Sequence, residues 1–333
     1  MESFVSTAHF NTSAPADSHS IKGHFTAGQN ILRTARKDIV FTMERSGGVF
    51  SQTALDASIA QSRTERFDIV VGSGRVGQTY LYWRGSLLYQ LPVSYLTASD
   101  AWINSPGYRD GRIDFGRFVP PQCMECHSTY FRPVPDGHEA SYQGDYMLGI
   151  SCSKCHGPAR QHVEYQSANP ADTRPKNILN PALFSRDRKL DNCALCHSGL
   201  RTPSAPSFSF QPGDKLDDFF VAEPDRADSV PDVHGNQVGL LRRSKCFRSS
   251  PAMSCSTCHD VHQMQRDVAT FVPKCLTCHT TSSHPQAKKI GSRMMTDCID
   301  CHMPTRKSRL IRFETSAAKF SPDLRSHLIG IYR

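Results

Sequence analysis

The chain has 333 residues, of which 38% are hydrophobic, and it carries a formal net charge of +8 at pH 7. No apolar run reaches the roughly 18 residues that a membrane-spanning helix needs, so the sequence predicts no transmembrane span. It also contains no basic run with interleaved aromatic residues, and we therefore expect no nucleic-acid partner.

The first 35 residues are polar and show no clear period, with histidines at His9, His19 and His24. They have neither the basic n-region nor the apolar h-region of a secretory signal peptide. Either a signal peptide lies upstream of Met1, or Met1 is an internal residue of a longer chain. The second interpretation is favoured.

The clearest strand pattern lies between about residues 36 and 96. Asp38–Met43, Phe67–Val71, Thr79–Trp83 and Leu87–Leu91 are rich in aromatic and β-branched residues and are separated by glycine turns. Such segments are typical of short strands joined in sequence order. The pattern predicts a small antiparallel β meander.

A glycine-rich segment within this region resembles a dinucleotide-binding fingerprint. Gly72, Gly74 and Gly77 fit the pattern G-x-G-x-x-G and follow a predicted strand. The fingerprint also requires a helix directly afterwards, whereas the next residues, Gln78–Arg84, read as a second strand. The segment is therefore interpreted as a hairpin and not as a nucleotide site.

Residues 97–122 carry turn-forming sequences and end at Pro120 and Pro121, which suggests a domain boundary. We expect an N-terminal segment with the β meander over residues 1–122. A second domain is expected over residues 123–333.

The second region repeats the pattern Cys-x-x-Cys-His six times. The six cysteine pairs are Cys123 and Cys126, Cys152 and Cys155, Cys193 and Cys196, Cys255 and Cys258, Cys275 and Cys278, and Cys298 and Cys301. The histidines that follow them are His127, His156, His197, His259, His279 and His302. This pattern is the attachment signature of c-type haem. The two thiols add to the haem vinyl groups, and the histidine coordinates the iron as its proximal ligand.

Cys-x-x-Cys pairs also build zinc sites and disulfide oxidoreductases. Neither requires a histidine directly after the second cysteine, and all six pairs have one. The sequence therefore predicts six covalently attached haem c groups, which use twelve of the thirteen cysteines. The remaining thiol, Cys246, is interpreted as a buried free cysteine, with a haem-ligating or redox role as the alternative.

Six haems would add a large apolar mass to a chain of modest apolar content. We therefore expect a mainly α and irregular fold with a haem-filled core, plus the small antiparallel β region. Two propionates on each haem would lower the net charge to roughly +2 when oxidised and −4 when reduced. The surplus of Lys and Arg is accordingly interpreted as pairing with propionates.

Nine histidines remain as candidates for the distal ligands of the six irons, and methionine is the other common choice. His262 lies three residues after His259, so both project from nearly one helix face and cannot bind opposite sides of one iron. His162 lies six residues after His156, about 240° further round a helix. Each is expected to ligate a haem attached at another motif.

Several segments resemble the cytochrome c-554-like multihaem family, which is related to hydroxylamine oxidoreductase. Cys-Ser-Lys-Cys-His-Gly-Pro-Ala-Arg-Gln-His162 is similar to its haem-plus-distal-histidine segment, and Cys-Ser-Thr-Cys-His-Asp-Val-His262 and Cys-Ile-Asp-Cys-His-Met303-Pro304 are similar to two others. His234 and His327 stand where the family has distal ligands. The likeness extends over most of residues 120–333 and implies a mostly helical, loop-rich fold with stacked haems.

Ser3–His9 resembles a family segment that usually follows a first Cys-x-x-Cys-His motif, and no such motif precedes it here. The resemblance implies an upstream seventh haem site and makes His9 a distal ligand. The leading distal set is His9, His162, His234, His262, His284 and His327. His19, His24 and His138 are held in reserve.

Covalent attachment of haem to this motif takes place outside the cytoplasm, so we expect a periplasmic or extracellular protein. The leading function is electron transfer along closely packed, doubly ligated haems. Its redox partners would be other cytochromes or membrane quinol oxidoreductases, and an oligomer is compatible with the sequence. The alternatives are an oxidoreductase with one open haem, acting on nitrite or hydroxylamine, and a subunit of a cytochrome filament.

Overall fold

The computed structural model of the chain describes residues 2–135, 137–222 and 230–332. These residues form two compact units. We call Ala8–Lys154 with Ile311–Ser321 the sheet unit. We call Met1–Thr7, Cys155–Leu310 and Pro322–Arg333 the motif-rich unit.

Helices account for 27% of the residues and strands for 23%. The strands are β1 Ser13–Pro15, β2 Ile31–Arg33, β3 Ile39–Ser46, β4 Val49–Asp56, β5 Gln61–Arg66, β6 Ile69–Val71, β7 Gly77–Arg84, β8 Leu87–Gln90, β9 Val93–Leu96, β10 Ala101–Asn104, β11 Ser128–Tyr130, β12 Met147–Leu148, β13 Thr305–Lys307, β14 Phe313–Glu314, β15 Lys319–Phe320 and β16 Asp323–Arg325. These strands pair with one another in antiparallel fashion.

The helices are short. They are α1 Glu2–Val5, α2 Pro121–His127, α3 Cys152–His156, α4 Arg160–Ala168, α5 Arg186–His197, α6 Gln237–Arg242, α7 Lys245–Ser249, α8 Val272–Leu276, α9 Ala287–Ile290 and α10 Cys298–His302. Single 3-10 turns lie at Phe10–Thr12, Thr97–Ser99, Pro181–Leu183, Leu216–Asp218, Cys255–Thr257, Val268–Phe271, Thr281–Ser283 and Gly291–Met295. Within the described ranges, no helix combines the length and the apolar character that crossing a bilayer requires.

The sheet unit is built on two antiparallel sheets. One has the strand order β1-β6-β7-β9-β10, with β8 also paired to β7, and the other has the order β2-β3-β4-β5. The predicted strands at 38–43, 67–71, 79–83 and 87–91 are confirmed over 39–43, 69–71, 79–83 and 87–90, which belong to β3, β6, β7 and β8. The β region is larger than predicted, since strands occur from Ser13 to Asn104.

The sheet unit has a hydrophobic core of its own. Phe41, Met43, Tyr80 and Tyr82 are fully buried in one cluster, which alternate residues of β3 and β7 supply. Phe67 stacks on Tyr80 with ring centroids 4.3 Å apart. Aromatic pairs of this kind add roughly 0.5–1.5 kcal/mol each beyond the area they bury.

The glycine-rich segment is a β-hairpin, as predicted, because β6 pairs antiparallel with β7. Gly72 has a φ of +109°, and a Cβ there would lie 2.6 Å from the carbonyl oxygen of Gly77. Only glycine meets both conditions. The spacing of these glycines therefore reflects the geometry of a tight turn.

The prediction of a mainly α fold is not confirmed, because the structure has 27% helix and 23% strand. The predicted haem-filled core is not confirmed either. The motif helices stay short because helix-ending residues follow them closely. Gly157 (φ +74°) and Pro158 follow α3, and Pro304 comes two residues after the end of α10.

Candidate haem-binding sites

Each Cys-x-x-Cys-His motif is folded on or against one helical turn. α2, α3, α5 and α10 all end at their motif histidine. In the motifs of His259 and His279, the histidine N–H donates to the carbonyl oxygen of the first cysteine, at 2.9 and 3.0 Å. A single turn thus holds two thiols and an imidazole close together, which is the arrangement that thioether attachment and axial ligation require.

All thirteen cysteines lie within the described residues, and none of them forms a disulfide. A reduced thiol is the form that adds to a haem vinyl group. The donor set of two thiols and one imidazole per motif therefore fits haem c.

The motif thiols differ in how much protein covers them, although the sequence predicts the same role for all twelve. Four are exposed, namely Cys123, Cys152, Cys278 and Cys301. The other eight are partly buried, namely Cys126, Cys155, Cys193, Cys196, Cys255, Cys258, Cys275 and Cys298.

The partly buried thiols lie against other parts of the fold. Cys196, for example, packs against a core cluster that contains Phe210 and Leu216. In the first motif Cys126 is the more covered thiol, and in the sixth motif Cys301 is the more exposed one. Because none of the twelve is fully buried, both thiols of every motif remain accessible for the predicted thioether bonds.

Three motif histidines face a histidine from outside the motifs. The ring centroids of His156 and His262 are 6.0 Å apart. Those of His259 and His327 are also 6.0 Å apart, and those of His284 and His302 are 6.1 Å apart. Two imidazoles that bind one metal from opposite sides, at about 2 Å each, hold their ring centres about 6 Å apart. These spacings therefore suit two axial ligands of one iron.

Hydrogen bonds orient several of these rings. His156 Nδ1 lies 2.8 Å from the carbonyl oxygen of Leu179, and His302 Nδ1 lies 2.7 Å from that of Gly330. A carbonyl oxygen can only accept, so Nδ1 carries the proton in both rings and Nε2 keeps its lone pair. Nδ1–H bonds of this kind commonly orient histidines that bind metal.

Two of the distal candidates are oriented through Nδ1 in the same way, and a third is not. His327 Nδ1 lies 2.7 Å from Gln237 Oε1, and His162 Nδ1 lies 2.7 Å from the carbonyl oxygen of Lys176. His284 is the exception, since its Nδ1 accepts from the backbone N–H of Gln286 at 3.1 Å. Gln237 was not singled out by sequence reasoning, because no local pattern links it to a histidine near the C-terminus.

Burial, followed by the nearby His259 and His197, lowers the pKa of His327 to about 4. The ring is therefore neutral at physiological pH. Neutral imidazole is the form that binds metal.

His9 lies beside the first motif. Its carbonyl oxygen accepts from Ile150 N at 2.9 Å, and Ser13 Oγ donates to the carbonyl oxygen of His127 at 2.6 Å. Gly149 makes this approach possible, because a Cβ there would lie 2.1 Å from the Phe10 carbonyl oxygen. The backbone thus brings His9 to the end of the helix that carries His127.

His234 is brought to the third motif in a similar way. Gly199, two residues after His197, donates its N–H to the carbonyl oxygen of Gly235 at 2.8 Å. This hydrogen bond brings His234, the residue before Gly235, close to the end of α5. The Asn236 side chain then accepts from Gly239 N and caps α6.

The reserve histidines have other contacts. His24 Nε2 lies 3.0 Å from Asp100 Oδ1, and the His138 ring lies 4.0 Å from that of Phe118. His19 lies in an exposed turn that the Asp17 carboxylate organises. None of the three faces a motif histidine in a ring contact among the described residues.

Thiols of different motifs lie close together in the motif-rich unit. The Cys193 and Cys255 side chains form a hydrogen bond, which together with burial raises the pKa of Cys193. α5 packs against the 3-10 turn Cys255–Thr257, and α8 packs against α10. Burial, then the Cys298 and Cys258 thiols, raises the pKa of Cys275 to about 11.

The odd thiol, Cys246, lies in α7 and is free, but it is only partly buried, whereas the sequence interpretation had it buried. Burial raises its pKa, and the Cys278 thiol adds to the shift. Arg186 stacks over the ring of the next residue, Phe247, at 3.9 Å and donates to its carbonyl oxygen. Arg186, which lies in α5, thus holds the helix that carries Cys246.

Residues 110–157 match the family model described as cytochrome c554 and c-prime. The matched residues make up well under half of the chain. The fold is similar to that of a solved structure, the outer cell wall cytochrome OcwA. The TM-score is 0.59 at 15% identity, over 98% of this chain and 76% of that chain. The chain is a multihaem c-type cytochrome. Haem c is therefore its covalently bound cofactor.

A looser similarity is to the undecaheme cytochrome from the S-layer of Carboxydothermus ferrireducens. The TM-score there is 0.38 at 15% identity, over 80% of this multihaem cytochrome and 45% of that chain.

Proposed function

We propose that this multihaem cytochrome carries electrons between redox partners through haems held at its six motifs, most of them closed by two histidines. The observation that carries the proposal is the set of three imidazole pairs with ring centres 6.0–6.1 Å apart. Bound haem supplies the one-electron chemistry. The residues of the chain determine where each haem is attached, which side chains ligate its iron and how far apart the haems lie.

Each pair joins one motif to a histidine from another segment. His262 serves the motif of His156, and His327 serves that of His259. His284 serves that of His302 once the hydrogen bond from Gln286 N to its Nδ1 is released, because that bond leaves the proton on Nε2. Such closure leaves low-spin iron that rearranges little when an electron moves. It also excludes substrate from the metal at these three motifs.

Two further ligands are proposed from the course of the backbone. His9 would close the motif of His127, and His234 would close that of His197. The remaining member of the predicted distal set, His162, is oriented by Lys176 but faces no motif histidine in a ring contact within the described residues.

The motif thiols suggest an order for the sites in the motif-rich unit. Cys155 and Cys255 both influence the pKa of Cys193, and Cys258 and Cys298 influence that of Cys275. These neighbouring thiols connect the second motif to the third, the third to the fourth, the fourth to the fifth and the fifth to the sixth. We propose from that order a haem-filled core in this unit and close transfer from site to site.

We propose a periplasmic or extracellular location, which agrees with haem attachment outside the cytoplasm and with the cell-wall location in the name of OcwA. The partners would be other cytochromes or membrane quinol oxidoreductases. We also propose that the chain binds six haems, or seven if a further motif lies upstream. We propose a domain boundary between residues 122 and 123.

Protein film voltammetry of the exported holoprotein tests electron transfer. The charge passed should equal the haem content from the pyridine haemochrome assay, because the proposed transfer path includes every haem. Cys246→Ser is the matched control, since it removes a thiol outside the motifs. A charge that accounts for only one or two of the attached haems would contradict a connected chain.

A further inference from the structure

Two exposed thiols lie at one end of the proposed order of sites. The second cysteines of the fifth and sixth motifs, Cys278 and Cys301, are exposed, whereas all four thiols of the third and fourth motifs are partly buried. Haem edges bonded to these two thiols would lie near the surface of the motif-rich unit. A protein partner exchanges electrons where it can approach such an edge closely.

Positive charge is concentrated around these two motifs. Between residues 271 and 310, lysine and arginine number seven, and aspartate and glutamate number two. Four of the basic residues are exposed and take part in no ion pair among the described residues. They are Lys274, Lys288, Lys289 and Arg306.

The elements that carry these four cations adjoin the sixth motif. α8 packs against α10, and β13 begins three residues after α10 ends. α9 packs against the 3-10 turn Thr281–Ser283. The residue after that turn, His284, faces His302 of α10 with ring centroids 6.1 Å apart. The four cations therefore lie on elements around the two exposed thiols.

The two carboxylates of the segment do not offset this charge, because arginines already bind them. Asp297 is the N-cap of α10 and pairs with Arg293. Asp300 lies within α10 and pairs with Arg325 at 2.8 Å. The four cations without an ion pair therefore determine the sign of the local field, which attracts acidic groups.

Haem attachment reduces this positive charge without reversing it. Each haem would bring a charge of about −1 when ferric and about −2 when ferrous, from two propionates and the iron centre. The haems of the fifth and sixth motifs would therefore leave the surface positive in the oxidised protein and close to neutral in the reduced protein. An acidic partner would bind the oxidised protein more tightly.

We propose that the surface formed by Lys274, Lys288, Lys289 and Arg306, the basic surface, docks an acidic redox protein that donates electrons at the fifth and sixth motifs. The donor loses one electron and a ferric iron gains it, and no bond or proton is transferred. Each protein then carries less of the charge that attracts the other, which favours release. The inference rests on the proposed electron-transfer function and specifies the chemistry of one partner.

Plant-type ferredoxin, a small acidic one-electron carrier, is the probe for this surface. Calorimetry of oxidised ferredoxin with the fully ferric holoprotein measures binding without electron transfer, and stopped-flow reduction by reduced ferredoxin measures the rate. We expect the Kd to rise about tenfold between about 20 mM and about 300 mM salt, because salt screens exposed charges. The dithionite-reduced holoprotein should bind reduced ferredoxin more weakly than the ferric holoprotein binds oxidised ferredoxin.

Charge reversal locates the docking surface. Lys288→Glu/Lys289→Glu should raise the Kd for ferredoxin about tenfold at low salt and much less at high salt. The matched control is Arg33→Glu/Lys37→Glu, which makes the same change in net charge on exposed residues of the sheet unit. It should leave the Kd within about twofold of the native value.

A milder variant guards against local misfolding of α9. Lys274→Gln removes one charge from a different helix and should raise the Kd about twofold to threefold at low salt. Every variant should keep its haem count and the charge that it passes in film voltammetry. These readouts separate a lost docking surface from a lost fold.

Three results would overturn the basic surface. One is a Kd for ferredoxin that does not change with salt. Another is equal weakening in the two double variants, which would show that only total charge matters. The third is binding to phosphatidylglycerol vesicles that Lys288→Glu/Lys289→Glu abolishes, in a protein that does not bind ferredoxin. That result would assign the surface to an anionic membrane. In each case the native protein would still pass its full charge in film voltammetry, whereas failure of the proposed electron-transfer function would reduce that charge.

Discussion

His156 and His262 face each other with their ring centroids 6.0 Å apart and their planes at 32°. His262 lies only three residues after His259, yet the histidine ring that faces His259 belongs to His327. The segment between His259 and His262 would thus contribute to two of the proposed haem sites at once.

The haem count is the first expected outcome. The pyridine haemochrome assay, combined with iron analysis of the exported protein, should give six haems per chain, or seven if an upstream motif is present in the expressed protein. The twelve motif thiols should all be alkylation-resistant, whereas Cys246 should react after denaturation. Stoichiometric zinc without haem would contradict the account.

A second prediction concerns Gln237. Replacing it with leucine removes the acceptor for His327 Nδ1–H, which weakens the imidazole as a donor and destabilises ferric iron. The reduction potential of one haem should rise; a tenfold change in relative affinity corresponds to about 59 mV for one electron. Spectroelectrochemical titration measures this.

The control for Gln237→Leu is Gln263→Leu, which changes an exposed glutamine in the same unit. It should leave all potentials unchanged. Equal shifts in the two variants would show that the hydrogen bond to His327 has no special role.

Much of the site could be predicted from the sequence because haem attachment is local. Two cysteines and a histidine within five residues identify each motif without knowledge of the fold. The distal partners could not be assigned, since they depend on how distant segments pack. The sequence favoured His162 over His284 as a distal ligand, because His162 matches a family segment, but only the His284 ring faces a motif histidine.

The sheet unit shows a similar limit. Strands with clear alternation, such as β3 and β7, could be predicted. The strand at Gln61–Arg66 could not, because its residues are polar and partly exposed and it is held mainly by backbone pairing to β4. The helix content was overestimated because the motifs read as helix, whereas helix-ending residues keep them to about one turn.

The hairpin provides a third prediction. Gly72→Ala should destabilise the sheet unit by about 1–3 kcal/mol, because the residue has positive φ and a Cβ would meet the Gly77 carbonyl oxygen. Neither the variant nor the native protein should bind NAD(H) or FAD in calorimetry. Saturable nucleotide binding that is lost in Gly74→Val would disprove the interpretation as a structural turn.

A fourth prediction concerns alkaline pH. Burial raises the pKa of Tyr82 to about 12, and its hydroxyl donates to the carbonyl oxygen of Phe115. The folded state therefore favours the protonated phenol. Stability should be constant below about pH 10, the pKa of an unfolded tyrosine, and should fall as the pH rises towards about 12.

Hydrogen exchange of β7 peptides as a function of pH measures this effect. Tyr82→Phe should make the alkaline decline shallower. Tyr146→Phe, at an exposed tyrosine of the same unit, serves as the control and should leave the decline as it is. An identical decline in native protein and Tyr82→Phe would rule out Tyr82 as its cause.

The pairing of His156 with His262 can be tested most directly by electron paramagnetic resonance of His262→Ala, alone and combined with Cys152→Ser/Cys155→Ser. We expect His262→Ala to convert one low-spin haem to high-spin without loss of haem. In the combined variant, which lacks the haem of the second motif, the added high-spin signal should be absent. If His262→Ala still produces that signal when the second-motif haem has been removed, His262 ligates a different iron and the proposed ligand assignment is wrong.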